Sequence, residues 1–105
     1  MFHSINAYTG ETLCRRPAQS YAEFSQELAA LKVRQQTFAR LGVTGRTALL
    51  QAFAERLAQN KERLAEMVCE EVGRCLHECR AELDKSVELI RYYVRLAPEL
   101  LAHKT

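Results

Sequence analysis

Leu76-His77-Glu78-Cys79-Arg80-Ala81-Glu82-Leu83-Asp84-Lys85-Ser86-Val87-Glu88-Leu89-Ile90-Arg91-Tyr92-Tyr93-Val94-Arg95-Leu96-Ala97 is the stretch that decides the fold class. Within it Leu76, Cys79, Leu83, Val87, Ile90, Val94 and Ala97 recur every three or four residues without a miss. That period keeps one face of an α-helix apolar. Pro98 follows, and a proline lacks the N–H that a helix interior needs, so the spacing predicts a helix over 76–97 that stops there.

Working upstream, Leu64, Met67, Val68 and Val72 form a shorter stripe, with Asn60 as its expected N-cap and Gly73 as its stop. Leu49, Leu50, Phe53 and Leu57 fit another stripe, for which Thr44 is the expected cap. Ser20-Tyr21-Ala22-Glu23 has the S-x-x-E form of a capping box, and Phe24, Leu28, Leu31, Phe38 and Leu41 follow on one face. Gly42 is placed to end that helix, because glycine adopts the left-handed cap at little cost.

Residues 1–19 lack helical periodicity. Phe2–Ile5 and Thr12–Cys14 are short enough for two strands about a turn at Ala7-Tyr8-Thr9-Gly10. The expected fold is mainly α: a short N-terminal β-hairpin or extended segment over 1–19, then three or four packed amphipathic helices over 20–105. An isolated hairpin is marginal in water, so residues 1–14 are expected to pair with another chain or to lie loosely on the helices.

Length and composition agree with one unit. The chain has 105 residues, 48% of them apolar and 27% charged, which suits a folded core and excludes a disordered tail. At this size roughly two-thirds of the unfolded surface can be buried, enough for one modest core. A formal net charge of +2 argues against a general nucleic-acid or anionic-membrane binder. No apolar run approaches the ~18 residues of a spanning helix, and Met1-Phe2-His3-Ser4-Ile5-Asn6 lacks the basic start and apolar stretch of a signal peptide. A cytoplasmic protein is expected, with its four cysteines (14, 69, 75 and 79) as reduced thiols rather than disulfides.

Four groups could carry chemistry. Cys75 and Cys79 would share a helix face and could hold a soft metal with Cys69 or His77. His77, two residues from each cysteine, would point away from both, and Cys79 falls on the apolar stripe, where a thiol acts as a small hydrophobe. A cysteine nucleophile would need a base, and His77 is the only histidine near a cysteine in sequence. Glu62, Glu66, Glu70 and Glu71, beside Arg63 and Arg74, read as a solvated face with helix-end pairing rather than paired acid–base carboxylates. Arg91-Tyr92-Tyr93 with Arg95 suggests a nucleic-acid surface only until the interleaved Glu82, Asp84, Glu88 and Glu99 are counted. No GxGxxG, P-loop or GxSxG motif occurs. No catalytic, cofactor-binding or metal-ligating residue is assigned.

Two passages add a family. Ser4-Ile5-Asn6-Ala7-Tyr8-Thr9-Gly10-Glu11 resembles the S-I-N-P-A-T-G-E opening of aldehyde dehydrogenases. Glu71-Val72-Gly73-Arg74, with Leu76, Glu78, Cys79, Glu82 and Leu83, resembles that family's E-T-G-K-P-L-x-E-A-x-x-E-V segment. Arg46-Thr47-Ala48-Leu49-Leu50 and Asn60-Lys61-Glu62-Arg63-Leu64 resemble its intervening helices; Arg91-Tyr92-Tyr93 and Ala97-Pro98-Glu99-Leu100-Leu101 continue in register. The flavour is similar to the succinate-semialdehyde dehydrogenase branch. Ala7 stands where proline is usual, Val72 replaces threonine, and Cys75 replaces proline.

The resemblance implies the helical N-terminal layer of an α/β cofactor-binding domain, hence a partial domain over 1–105. It further implies a parent enzyme that oxidises an aldehyde, such as a semialdehyde, with NAD or NADP, using a cysteine nucleophile and a glutamate base. Those parts lie further along the family's chain, and none of Cys14, Cys69, Cys75 or Cys79 matches the nucleophile. This chain alone is therefore expected to be inactive. Its end at His103-Lys104-Thr105, with no structural stop beyond Pro98, reads as a truncation. Expected partners are the remainder of the parent enzyme and other copies of the chain, through apolar faces within 45–72 and 76–97; nucleic acid and membrane are not expected. The alternative is an independent helical module that binds other proteins.

Overall fold

The computed structural model describes residues 1–102; His103-Lys104-Thr105, and the truncation read there, lie outside the described residues. Strands β1 (Phe2–Ile5) and β2 (Thr12–Arg16) precede helices α1 (Tyr21–Arg40), α2 (Gly42–Gln59), α3 (Lys61–Val72) and α4 (Leu76–Ala102). The expected hairpin and helices are all present.

The strands are antiparallel, pairing Phe2 with Arg16, His3 with Arg15, Ser4 with Cys14 and Ile5 with Thr12. The step from Cys14 to Thr12 leaves Leu13 as an extra residue, a bulge. The connecting turn is built on Asn6, whose Oδ1 accepts from the main-chain N–H of Tyr8 (2.8 Å) and Thr9 (3.0 Å). Gly10 closes it at φ 77°, donating to the Asn6 carbonyl at 2.9 Å.

Helix α1 starts on the expected capping box. Ser20 Oγ accepts from Glu23 N–H at 3.2 Å, and the Glu23 carboxylate accepts from Ser20 N–H at 2.8 Å. These bonds, the main-chain one foremost, hold the Glu23 carboxyl below its ordinary value. The helix ends where Gly42 turns left-handed at φ 70°, and Arg46 Nη1 reaches back to the Ala39 carbonyl at 3.0 Å.

Two caps differ from expectation. Thr44 lies inside the first turn of α2, which has no side-chain cap, because Gly42 both ends α1 and opens α2. Asn60 occupies the N-cap position of α3 but has φ −101° and ψ 12°. A forward cap needs extended backbone there, so its Nδ2 donates backward to the Arg56 carbonyl of α2 at 2.8 Å. The expected stop at Pro98 is also overturned, since α4 runs on to Ala102 with Pro98 inside it. Proline removes one hydrogen bond, which a helix tolerates near its end more readily than at its middle.

α4 is the common partner, with α2 and α3 laid along it. Every member of its stripe is buried or half-buried: Cys79 and Val87 fully, the others in part. Small residues make the closest approaches, since Ala54 of α2 and Ala65 of α3 are wholly inaccessible. Exposed ion pairs decorate the α3–α4 seam: Lys61–Asp84 at 2.8 Å, Arg80–Glu62 at 3.0 Å, and Arg74 with Glu78 and Glu82. Arg74 thus pairs with carboxylates of α4, not with the α3 glutamates. Each such pair contributes little to stability.

The core is smaller than its length allows. Only Ala54, Ala65, Cys79 and Val87 are buried among the described residues; Leu49 and Phe53 of the α2 stripe face outward, while Leu50 lines a cleft with Phe38, Ala97 and Leu101. The molecule is a slab with extents of 54 × 40 × 19 Å, its thin dimension about two helix diameters. Its radius of gyration is 18.1 Å, against about 13 Å for a compact chain of this length. The apolar stripes are there, but much of their surface is open to solvent.

Candidate functional site

The hairpin is not loose on the helices but bonded to the end of α3. Ala7 N–H donates to the Glu70 carbonyl at 2.8 Å, Tyr8 Oη–H to the Gly73 carbonyl at 2.9 Å, and Ser4 Oγ–H to the Glu71 carboxylate. The last turn of α3 leaves carbonyls without helical partners, and the hairpin turn supplies the donors. Gly73, at φ 76°, ends the helix and admits the turn; a Cβ there would stand 3.0 Å from that of Ala7. Ala7 also accounts for one departure from the family pattern, since a proline at this position could not donate to Glu70.

Beside this junction lies a shallow cleft of about 390 Å³ lined by Phe2, His3, Ser4, Ile5, Cys14, Arg16 and Glu71. It contains a thiol, an imidazole and a carboxylate. Alternation along the strands puts Ser4 and its partner Cys14 on one face and His3 on the other, so His3 is not aimed at the thiol. The Cys14 thiol leans on the Arg15 carbonyl at 3.8 Å.

The α3–α4 corner holds the other three cysteines. Cys79 is buried, Cys69 half-buried and Cys75 exposed. Burial pushes the Cys79 thiol up, and the neighbouring Cys69 thiol adds to the push. Its Sγ faces the Arg74 carbonyl at 3.9 Å. A nucleophilic cysteine needs the opposite shift. His77 sits on the outer side of α4, where Arg74, His77, Ala81 and Lys85 line a groove away from the buried thiol. Among the described residues no three His, Cys, Asp or Glu side chains are grouped to hold a metal ion.

A third cleft, of about 490 Å³, lies between α4 and the joint of α2 with α3, lined by Lys61, Asp84, Glu88, Arg91 and Arg95 with Ala58 and Val87. Its cations are interleaved with carboxylates, as the sequence indicates, and Lys61 is already bonded to Asp84 at 2.8 Å. These sites offer helix-end carbonyl docking, packing thiols and mixed surface charge. Among the described helices none is long and apolar enough to cross a membrane.

The family model for the aldehyde dehydrogenase family matches residues 1–105. The chain belongs to that family. Among its relatives, a malonate-semialdehyde dehydrogenase of Listeria monocytogenes is 32% identical over 88 residues, covering 84% of this chain and 18% of the relative. A succinate-semialdehyde dehydrogenase [NADP(+)] of Deinococcus radiodurans is 28% identical over 104 residues, covering 99% of this chain and 22% of the relative. In fold the chain resembles glyceraldehyde-3-phosphate dehydrogenase GapN from Methanocaldococcus jannaschii, solved in complex with NADP. The TM-score is 0.83 at 23% identity, over 90% of this chain and 22% of that one. The chain therefore spans about a fifth of the length of the relatives it matches. The resemblance read from Ser4–Glu11 and Glu71–Leu83 identified the right family. What it did not reveal is that these two passages touch: Ser4, Ala7 and Tyr8 meet Glu71, Glu70 and Gly73. No local pattern signals a contact across 65 residues.

Proposed function

We propose that this chain is the N-terminal helical layer of an NAD- or NADP-dependent aldehyde dehydrogenase, and that by itself it does not oxidise aldehydes. The observation that carries the reading is one of proportion. The family model covers all of residues 1–105, whereas relatives extend to about five times that length. The outward-facing Leu49 and Phe53 support it, because a helical layer with large apolar residues on its outer side suits packing against a further layer. The relatives' names point to a semialdehyde as the substrate class; oxidation to the carboxylic acid, in the cytoplasm, completes the proposal. In the parent, the cofactor, the thiolate and the base would come from residues outside this chain, and residues 1–102 would supply support. Neither nucleic acid nor membrane enters the reading.

Without that further layer, the chain would self-associate through its exposed apolar residues: Leu49, Leu50, Phe53 and Met67 within 45–72, and Leu89, Tyr92 and Tyr93 within 76–97. The test is the mass of the product in its source cell, or the gene read past codon 105, with a parallel assay of the 105-residue chain. A product of several hundred residues, and no reduced nicotinamide formed from malonate or succinate semialdehyde above a blank, are expected. A native product of 12.0 kDa overturns the parent-enzyme reading, and turnover by the short chain overturns its inactivity.

A further inference from the structure

Three of the four cysteines gather where α3 gives way to α4, and neither the fold nor the proposed role of the chain uses their sulfur chemistry. Two ion pairs fix how these helices meet. Lys61 of α3 bonds Asp84 of α4, and Glu62, one residue on, bonds Arg80, one turn back, so the helices are antiparallel. Continuing that register sets Ala65 level with Cys79 and Cys69 level with Cys75, and Ala65 and Cys79 are both wholly inaccessible. Cys69 lies one turn beyond Ala65 on the same face of α3, half-buried. Side chains lean toward the N-terminus of their own helix, so in this antiparallel pair the two thiols lean toward each other. The lean carries the Cys69 sulfur back toward Ala65 and the Cys79 sulfur down toward Cys75, closing the turn that separates them. For Cys79 the lean is visible, since Sγ lies 3.9 Å from the Arg74 carbonyl, just ahead of α4. The influence of Cys69 on the Cys79 thiol agrees with neighbouring sulfurs. The pair lies within the α3–α4 seam, not on an open face.

We propose that Cys69 and Cys79 form a peroxide-closed clip: a hydroperoxide oxidises the half-buried Cys69, and the buried Cys79 completes a disulfide that ties α3 to α4. In the first step the Cys69 sulfur attacks the terminal oxygen of R–O–O–H. An S–O bond forms, the O–O bond breaks, and the thiol proton leaves with the alcohol R–O–H, so sulfur is oxidised and the peroxide reduced. In the second step the Cys79 sulfur attacks the Cys69 sulfenic acid. The S–S bond forms, the S–O bond breaks, and the hydroxyl leaves as water with the Cys79 proton. The peroxide never has to reach Cys79, which burial hides from larger reagents. The clip closes over the stretch that carries the hairpin, because the acceptors for Ala7, Tyr8 and Ser4 are at Glu70, Gly73 and Glu71. Cys75, exposed just before α4, is not a member.

The test is intact mass and peptide mapping of the 105-residue chain after mild hydrogen peroxide, with unreacted thiols blocked by iodoacetamide. Cleavage after Glu78 separates Cys75 from Cys79, so the bonded pair is read directly. A 12.0 kDa chain lacking two hydrogens, with Cys69 joined to Cys79, is expected. A dithiol reductant should reverse the bond, and the oxidised chain should need more urea to unfold, since a cross-link limits the unfolded chain. Cys75→Ser should close as fast as the parent. Cys79→Ala should instead accumulate Cys69 sulfenic acid, trapped by dimedone, about tenfold above the parent. Bonds to Cys75 or Cys14, disulfide-linked dimers, or Cys69 left as a sulfenic acid in the parent chain each overturn the inference. So does a chain in which Cys75 alone is oxidised, or a urea midpoint unmoved by oxidation.

Discussion

Gly73→Ala tests the joint between hairpin and helices, because two independent faults meet at that atom. The residue sits at φ 76°, where a side chain costs about 1–2 kcal/mol over glycine. The new Cβ would also lie 3.0 Å from Ala7 Cβ, close enough that the turn must retreat by a few tenths of an ångström. Retreat lengthens the Ala7–Glu70 bond of 2.8 Å and the Tyr8–Gly73 bond of 2.9 Å, each worth about 1 kcal/mol and less where solvent competes. The sum is a loss of about 2–3 kcal/mol in urea unfolding followed by circular dichroism, a large share of a small domain's stability. Two companions separate the faults. Gly73→Asn keeps the Cβ but tolerates the left-handed backbone, so it should lose less than alanine. Ala7→Gly removes the atom that is struck, so in the Gly73→Ala background it should recover part of the loss. A Gly73→Ala chain within 0.5 kcal/mol of the parent, or no coupling between positions 7 and 73, would refute the packing argument.

Other consequences are direct. Ala7→Pro, which restores the usual family residue, should destabilise this chain by about 1 kcal/mol, because the donor to Glu70 is lost; urea midpoints measure it. Ser20→Ala should lower the helicity of α1 at a cost of about 1 kcal/mol. The Glu23 half of the box has a native carboxyl lowered from 4.5, so its contribution is present above that value and is lost as pH falls through the lower native one; far-UV circular dichroism against pH would show α1 fraying first. Among thiols near α4, Cys75 should react quickly with a disulfide reagent and Cys79 only on unfolding, since burial both hides it and keeps it protonated. Equal rates by mass mapping would contradict the buried placement.

Local rules carried much of this fold from the sequence. The α4 stripe, the Ser20–Glu23 box and the glycine stops at Gly42 and Gly73 each depend on residues within a turn or two, and each lies where its chemistry required. Thr44 and Asn60 were misread because a cap depends on backbone angles as well as residue type, and the single-residue joints at Leu41 and Asn60 leave no extended position for one. The α2 stripe was misjudged for another reason. Periodicity identifies an apolar face but not its partner, and in α2 Ala54, Leu50 and Leu57 lie on the inner side while Leu49 and Phe53 turn outward. Long-range chemistry was illegible altogether: nothing in Tyr8 or Ser4 announces the end of α3. The absence of a catalytic assignment rests on spacing, on Cys79's place in the apolar stripe and on the family resemblance, and the structure adds the burial of that one thiol.

The hairpin joint imposes an order on synthesis. Tyr8 and Ser4 find their partners 65 and 67 residues later, so the first strands leave the ribosome long before anything exists to hold them. Closing a flexible loop of that length costs about 4 kcal/mol, more than three exposed hydrogen bonds return. Docking thus becomes favourable only once α2, α3 and α4 have condensed and shortened the gap. The segment made first is fastened last, and until then a bare strand edge is the part of the nascent chain open to capture by a chaperone or a neighbouring polysome product.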